Sequence, residues 1–235
     1  MEPNKLGNFY PLLLLSRDLC VACILSISVM FASSAWAHDY NALPPPNITL
    51  PSSFIEFRDN LEEALAAKDV KILRSFLAKD IKYGFGGSFG PDQFAADLGL
   101  DNSNGEGWGL LTHLISTDPA KIDLDGADAF ILPYTAEMWP EADDPFNIVI
   151  GDVETKLRTL PSGNGRVAST LKYPILKIKS EIRDSDWFEV EASNGIWGYI
   201  PKEKTVEFLG YRMMIENNPV DGEAKWQITF VGAGD

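Results

Sequence analysis

Apolar positions first repeat at helical spacing in residues 54–67. Phe54, Phe57, Leu61, Ala64 and Leu65 fall three and four apart, a single stripe that predicts a helix. Ser53 ahead of the stripe and Glu56 three residues later have the form of a capping box. Residues 69–78 predict a second, short helix that buries Val70, Leu73, Phe76 and Leu77. Ile81-Lys82-Tyr83-Gly84-Phe85 then alternates as a strand, closed by Gly86-Gly87. Residues 91–99 and 107–116 read as helices on either side of a loop at 101–106. Residues 129–134 read as a strand that Pro133 assigns to a sheet edge or a bulge.

From Ile148 the texture changes, and short strands alternate with turns up to Leu209. Strands are predicted at 156–158, 168–171, 175–179, 187–191 and 197–200. Pro161-Ser162-Gly163-Asn164-Gly165 and Ser193-Asn194-Gly195 punctuate them. Asn-Gly between two strands is a hairpin signal. Five short strands in about sixty residues predict a small barrel. The tail is a further hairpin. Tyr211, Met213 and Ile215 alternate on one arm and Trp226, Ile228 and Phe230 on the other, with the turn at 217–224. An isolated hairpin is marginal in water, so this one must dock on the body of the protein.

Charge sharpens the division. The 235 residues carry 34 acidic and 20 basic side chains, a formal net of −14. The net is −12 over residues 38–147, zero over 148–210 and −2 over 211–235. This balance excludes a general nucleic-acid binder, which needs a cationic face for phosphates. Residues 1–37 have the order of a secretory signal: Lys5 and Arg17, an apolar run from Val21 to Phe31, then Ala35-Trp36-Ala37. Cleavage is expected after Ala37, giving a periplasmic or secreted product that meets the membrane only through this segment before cleavage. Retention as an anchor is the alternative, although the apolar core is shorter than the ~20 residues of a spanning helix. Cys20 and Cys23 both lie in this segment, so the mature chain would lack cysteine and disulfides. Residues 38–53, with Pro44-Pro45-Pro46, read as a flexible, extended leader.

Four stretches of residues 148–210 resemble the bacterial SH3 (SH3b) domain in order and spacing. They are Leu157-Arg158-Thr159-Leu160-Pro161-Ser162, Val167-Ala168-Ser169-Thr170-Leu171, Asp186-Trp187-Phe188-Glu189-Val190 and Asn194-Gly195-Ile196-Trp197-Gly198-Tyr199-Ile200-Pro201. The chain departs from that pattern at Thr159-Leu160-Pro161. It departs again after Pro201, where Lys202-Glu203-Lys204-Thr205 replaces the usual aromatic. The aromatic groove that takes proline-rich ligands is therefore incomplete. The remaining chain resembles an NTF2-like (SnoaL/cystatin-like) α+β domain. The turn Ala66-Ala67-Lys68-Asp69-Val70, the stretch Asp80-Ile81-Lys82-Tyr83-Gly84-Phe85 and the closing Lys225-Trp226-Gln227-Ile228-Thr229-Phe230 carry that likeness. Together they imply an α+β fold: an NTF2-like helix-on-sheet domain at 54–147, completed by the hairpin 211–235, with an SH3b-like barrel inserted at 148–210.

Chemistry is sparse. There is no G-x-S-x-G and no H-E-x-x-H. His113, within the apolar helix 107–116, is either a packed boundary residue or a general base in an NTF2-like cavity. His38 could chelate copper as a mature N-terminus, with His113 as its only partner. The carboxylates of Asp123, Asp125 and Asp128 alternate as in calcium loops, but the loop glutamate is missing and a solvated turn fits better. A second acidic group, Glu137, Glu141, Asp143 and Asp144, reads the same way. No catalytic residue, metal ligand or cofactor is assigned. Trp187, Tyr199, Trp197, Tyr173 and Pro201 are the ligand-binding candidates, because Trp and Tyr offer flat apolar area with a polar edge. Alternate members of that set could instead be core. The sequence thus reads as an exported, non-catalytic protein that binds a peptide or a peptidoglycan-like cell-wall component. The alternative is a small-molecule-binding or lyase/isomerase-like enzyme with Tyr83, His113 and Trp108 lining an NTF2-like cavity.

Overall fold

The first apolar stripe folds as α1, Ser52–Ala67, and all five of its members are buried. The computed structural model describes residues 40–84, 90–124, 126–142, 144–182, 184–220 and 223–233. The expected signal segment with Cys20 and Cys23, His38, Phe85-Gly86-Gly87, Asp125 and Asp143 lie outside the described residues. Pro51 occupies the N-cap of α1 with no side-chain bond, so the expected capping box does not form. The Ser53 hydroxyl instead accepts a bond from Trp226 Nε1 at 3.1 Å. The second helix is also shorter than expected. α2 spans Val70–Arg74, capped by the Asp69 carboxylate, and the chain enters β1, Leu77–Tyr83, directly. Long-range pairing overrides the local helical pattern: Ile228 N–H donates to Phe76 O at 2.8 Å.

Helices α3, Gly90–Asp97, and α4, Glu106–Ser116, precede the strand pair β2, Ala120–Leu124, and β3, Ala127–Leu132. β3 stops before Pro133 and is an interior strand. A proline cannot donate to an interior ladder, so it stands just outside instead of at an edge or in a bulge. The tail forms β11, Tyr211–Val220, and β12, Glu223–Ala233. These complete a five-stranded sheet in the order β1-β12-β11-β3-β2, parallel only between β1 and β12. A bulge between Met214 and Ile215 shifts the register. Met214 faces Phe230 while Ile215 faces Ile228, and the core takes Val231 in place of Phe230. The helices cover one face of this sheet, where Phe54, Leu61, Phe94, Leu111, Met213, Ile215 and Ile228 are buried.

The middle of the chain contributes β4, Ile148–Gly151; β5, Thr155–Arg158; β6, Val167–Leu171; β7, Ile175–Glu181; β8, Trp187–Ala192; β9, Trp197–Pro201; and β10, Thr205–Glu207. They form an antiparallel sheet in the order β10-β4-β7-β8-β9-β5-β6. Where a closed barrel is expected, the pairing is therefore open, with β10 and β6 at its two edges. β4 and β10 are too short to show an alternation of their own, and β2, although Ala120, Ile122 and Leu124 alternate with Lys121 and Asp123, was not read as a strand. Val149, Leu157, Leu171, Leu176, Phe188, Val190, Ala192 and Ile200 are all buried, and Tyr40, Ile178 and Ile196 pack against them.

Tertiary contacts hold the proline-rich segment from Tyr40 onward. Tyr40 packs on the core of the seven-stranded sheet. Leu43 packs with Ala120, Ile122, Ala129, Ile131 and Tyr134 on the helix-free side of the five-stranded sheet. Ile48 and Leu50 pack on the helical core. Leu43 N–H donates to Tyr173 O at 2.8 Å, and Ile175 N–H donates to Asn41 O at 2.9 Å. The whole is a mixed α+β fold.

Candidate functional site

Four of the five sequence candidates meet on one face. In the β8–β9 ladder Trp187 stands opposite Pro201, Glu189 opposite Tyr199 and Glu191 opposite Trp197. Phe188, Val190 and Ile200 alternate with them into the core. Directly opposed residues of an antiparallel pair share a face, so Trp197, Tyr199 and Pro201 form a row on the outer surface of β9, with Trp187 beside its end. Trp197 is 56% exposed. Its ring meets that of Tyr199 edge-on, with centroids 6.3 Å apart.

Local chemistry builds this row. The Asn194-Gly195 turn closes the β8–β9 hairpin, with Gly195 at φ +82°, a conformation glycine adopts without steric cost. Gly198, between the two aromatic rings, admits the close approach of β5. A Cβ there would sit 2.9 Å from Arg158 O. The carboxylates beside the rings are occupied: Glu191 pairs with Lys179 at 2.7 Å, and Glu189 accepts from the Ser180 hydroxyl at 2.7 Å. Glu191 is thus paired with a cation, whereas Glu189 is hydrogen-bonded and keeps its charge.

Beyond Trp187 and Pro201 the row opens into a groove of about 870 Å³. Lys156, Arg158, Lys202 and Lys204 line it together with Asp152, Glu154, Asp186 and Glu203, so its charge is balanced. Lys202 Nζ also lies 5.0 Å from the centroid of the Phe188 ring.

Tyr173 does not join this row. It has φ +48° between β6 and β7 and lines another cleft, of about 290 Å³, with His113, Asp118, Tyr134 and Asp152. The Tyr134 hydroxyl donates to Leu43 O. Burial raises the Tyr134 phenol pKa first, with the Tyr173 phenol and the Asp118 carboxylate adding to the effect. Burial also raises that of Tyr173, followed by the charges of Asp118 and Asp152. Sequence reasoning missed Tyr134, Asp118 and Asp152 here, because three separate segments supply them and no spacing signals their convergence.

The residues proposed for an enclosed cavity are dispersed. Trp108 is buried in the helical core and donates from Nε1 to Asn102 O at 3.0 Å. Tyr83 packs edge-on against Phe94 at 5.7 Å, its phenol pKa raised by burial and then by Tyr211. His113 is exposed at the end of α4. Asp123 and Asp128 are exposed and face each other across the β2–β3 pair, and Asp128 pairs with Lys121 at 2.8 Å. Among the described residues no group of three His, Cys, Asp or Glu side chains is placed to hold a metal, and no helix is long and apolar enough to cross a membrane.

No family model matches the chain, and no curated protein matches it. Two solved structures are similar in part. One is a candidate ketosteroid isomerase from Shewanella frigidimarina NCIMB 400, with 9% identity and a TM-score of 0.29 over 78% of this chain and 95% of that one. The other is an NTF2-like protein of unknown function from Shewanella oneidensis MR-1, with 10% identity and a TM-score of 0.27 over 78% of this chain and 97% of that one. Superpositions this loose assign no reaction and no ligand.

Proposed function

We propose that the protein is an exported, non-catalytic binding protein, and that its SH3b-like sheet at 148–210, inserted in an NTF2-like body, recognises a peptide or peptidoglycan-like cell-wall component. The supporting observation is the row Trp197–Tyr199–Pro201 with Trp187 at its end, running into a charge-balanced groove. Aromatic rings supply rigid contact area at low entropic cost. A groove with both signs of charge suits an extended ligand that itself carries amines and carboxylates. A polyanion would find no net attraction there. In this reading residues 1–37 are the secretion signal, cleaved after Ala37.

The test is retention on purified, insoluble peptidoglycan. The protein should sediment with it, and Trp197→Ala and Trp187→Ala should each release most of it. Failure to sediment at both low and high salt would overturn the reading. Retention that a soluble peptide library abolishes, but muropeptides do not, would assign the ligand to the peptide class.

A further inference from the structure

A second aromatic surface lies beside β10. Trp139, from the segment after β3, Phe146, from the turn ahead of β4, and Phe208, just after β10, meet as three linked rings. The Trp139 and Phe208 centroids are 5.5 Å apart, and Phe146 stands edge-on to Phe208 at 5.3 Å. Phe146 is 62% exposed, and Leu209 and Tyr211, which follow Phe208 in the chain, are 46% and 44% exposed. None of these residues lines the groove beyond Pro201. Large apolar side chains gathered in solvent mark an interaction surface. Carboxylates stand beside the rings. That of Asp144 accepts from Phe146 N–H at 3.2 Å, Glu141 is two residues from Trp139, and Glu207 adjoins Phe208. All three are exposed, and among the described residues none of them has an ion-pair partner. Residues 122–155 contain no lysine, arginine or histidine. Arg212 shares a small pocket with Trp139 and Phe208, and its Nε is buried.

We propose that this patch docks a basic segment of a partner polypeptide, its arginine side chains laid on the rings and paired with the carboxylates around them. A guanidinium does both, since it stacks on aromatic faces and bonds carboxylates through a planar fork. The pocket shared by Trp139, Phe208 and Arg212 holds about 10 Å³, room for about one water molecule. A small organic ligand therefore finds no enclosure, and the open surface carries the contact. A second copy of the chain is disfavoured, because a twofold contact would set the same carboxylates against each other. The negative rim repels an anionic lipid surface for the same reason. Complementary charge thus selects the partner, and the rings supply the contact area.

Fluorescence anisotropy with a labelled peptide of alternating arginine and glycine tests this, against the same peptide carrying glutamate in place of arginine. The arginine peptide should bind saturably and the glutamate peptide should not. Phe146→Ala, which leaves the charge unchanged, should weaken binding by about fivefold, the worth of an exposed ring–cation contact. Glu141→Gln combined with Asp144→Asn should weaken it by about tenfold, because each removes a charged acceptor, while asparagine keeps an acceptor for the Phe146 N–H. Asp59→Asn combined with Glu63→Gln takes the same charge from exposed positions of α1 and should leave binding within about twofold, since distant charges are screened. Trp197→Ala should leave it unchanged. Each variant should keep its melting temperature; if Phe146→Ala does not, Phe146→Leu, which keeps apolar bulk and loses the ring, decides in its place. No saturable binding, equal binding of the glutamate peptide, undiminished binding without the Phe146 ring, or an equal loss in the α1 variant or in Trp197→Ala would each overturn the proposal. So would a dimer in sedimentation equilibrium that Phe146→Ala dissolves, which would assign the patch to a second copy.

Discussion

Beneath its helices the five-stranded sheet buries large rings. Phe54, Phe130 and Trp226 pack with centroids 4.3 to 5.5 Å apart. The seven-stranded sheet buries one ring among its fully buried core residues, Phe188, and keeps Trp187, Trp197 and Tyr199 on its outer face. Charge divides the same way: the net of −12 belongs to residues 38–147, and residues 148–210 are balanced. The same residue types therefore do different work. Inside, a ring contributes burial and rigidity. Outside, a ring leaves flat apolar area facing solvent. The stretch from Tyr40 to Leu50 links the two regions by packing on both cores.

The largest expected effect lies in the helix-covered region. Phe54→Ala should cost about 3–5 kcal/mol, the usual loss for a large buried ring, measured by urea unfolding. A loss below about 1 kcal/mol would show that the rings are not the cornerstone of that core. Tyr134→Phe comes next, because it removes the bond to Leu43 O where the two regions meet. It should cost about 1–2 kcal/mol. The same variant has a pH signature. The folded state holds the Tyr134 proton above the ordinary phenol pKa of 10.0, whereas the unfolded chain releases it there. Its contribution is thus complete below pH 10 and lost as pH rises above it. Tyr134→Phe should flatten the fall in stability above that point. An unchanged alkaline slope would remove the tyrosine from this role. The smallest effect belongs to the outer face: Trp197→Ala should shift stability by no more than about 0.5 kcal/mol while abolishing retention on peptidoglycan. A large destabilisation would mean that Trp197 serves the fold instead of a ligand.

The helices were largely legible because their stripes are long. Phe54, Phe57, Leu61, Ala64 and Leu65 repeat over about three turns, and all are buried. The outer row of β9 was legible as well, since Trp197 and Tyr199 share a parity and strands have a period of two. Illegible were features that depend on a distant partner. Ser53 bonds Trp226, across 173 residues, where its own helix had a claim on it. The bulge in β12 moves Val231 into the place that alternation gives to Phe230. Tyr173 left the aromatic set because its turn faces Asp118 and Asp152.

By itself the sequence determined the periodicities, the change of texture at Ile148, the division of charge and the need for the tail to find a surface. These follow from side-chain spacing and composition, which are properties of neighbouring residues. Only the tertiary structure decided that the tail inserts between β1 and β3, that the seven-stranded sheet stays open in its pairing, and that Leu43 bonds both the Tyr134 hydroxyl and the Tyr173 backbone. Those outcomes depend on backbone hydrogen bonds and packing between residues far apart in the chain, where local spacing carries no information.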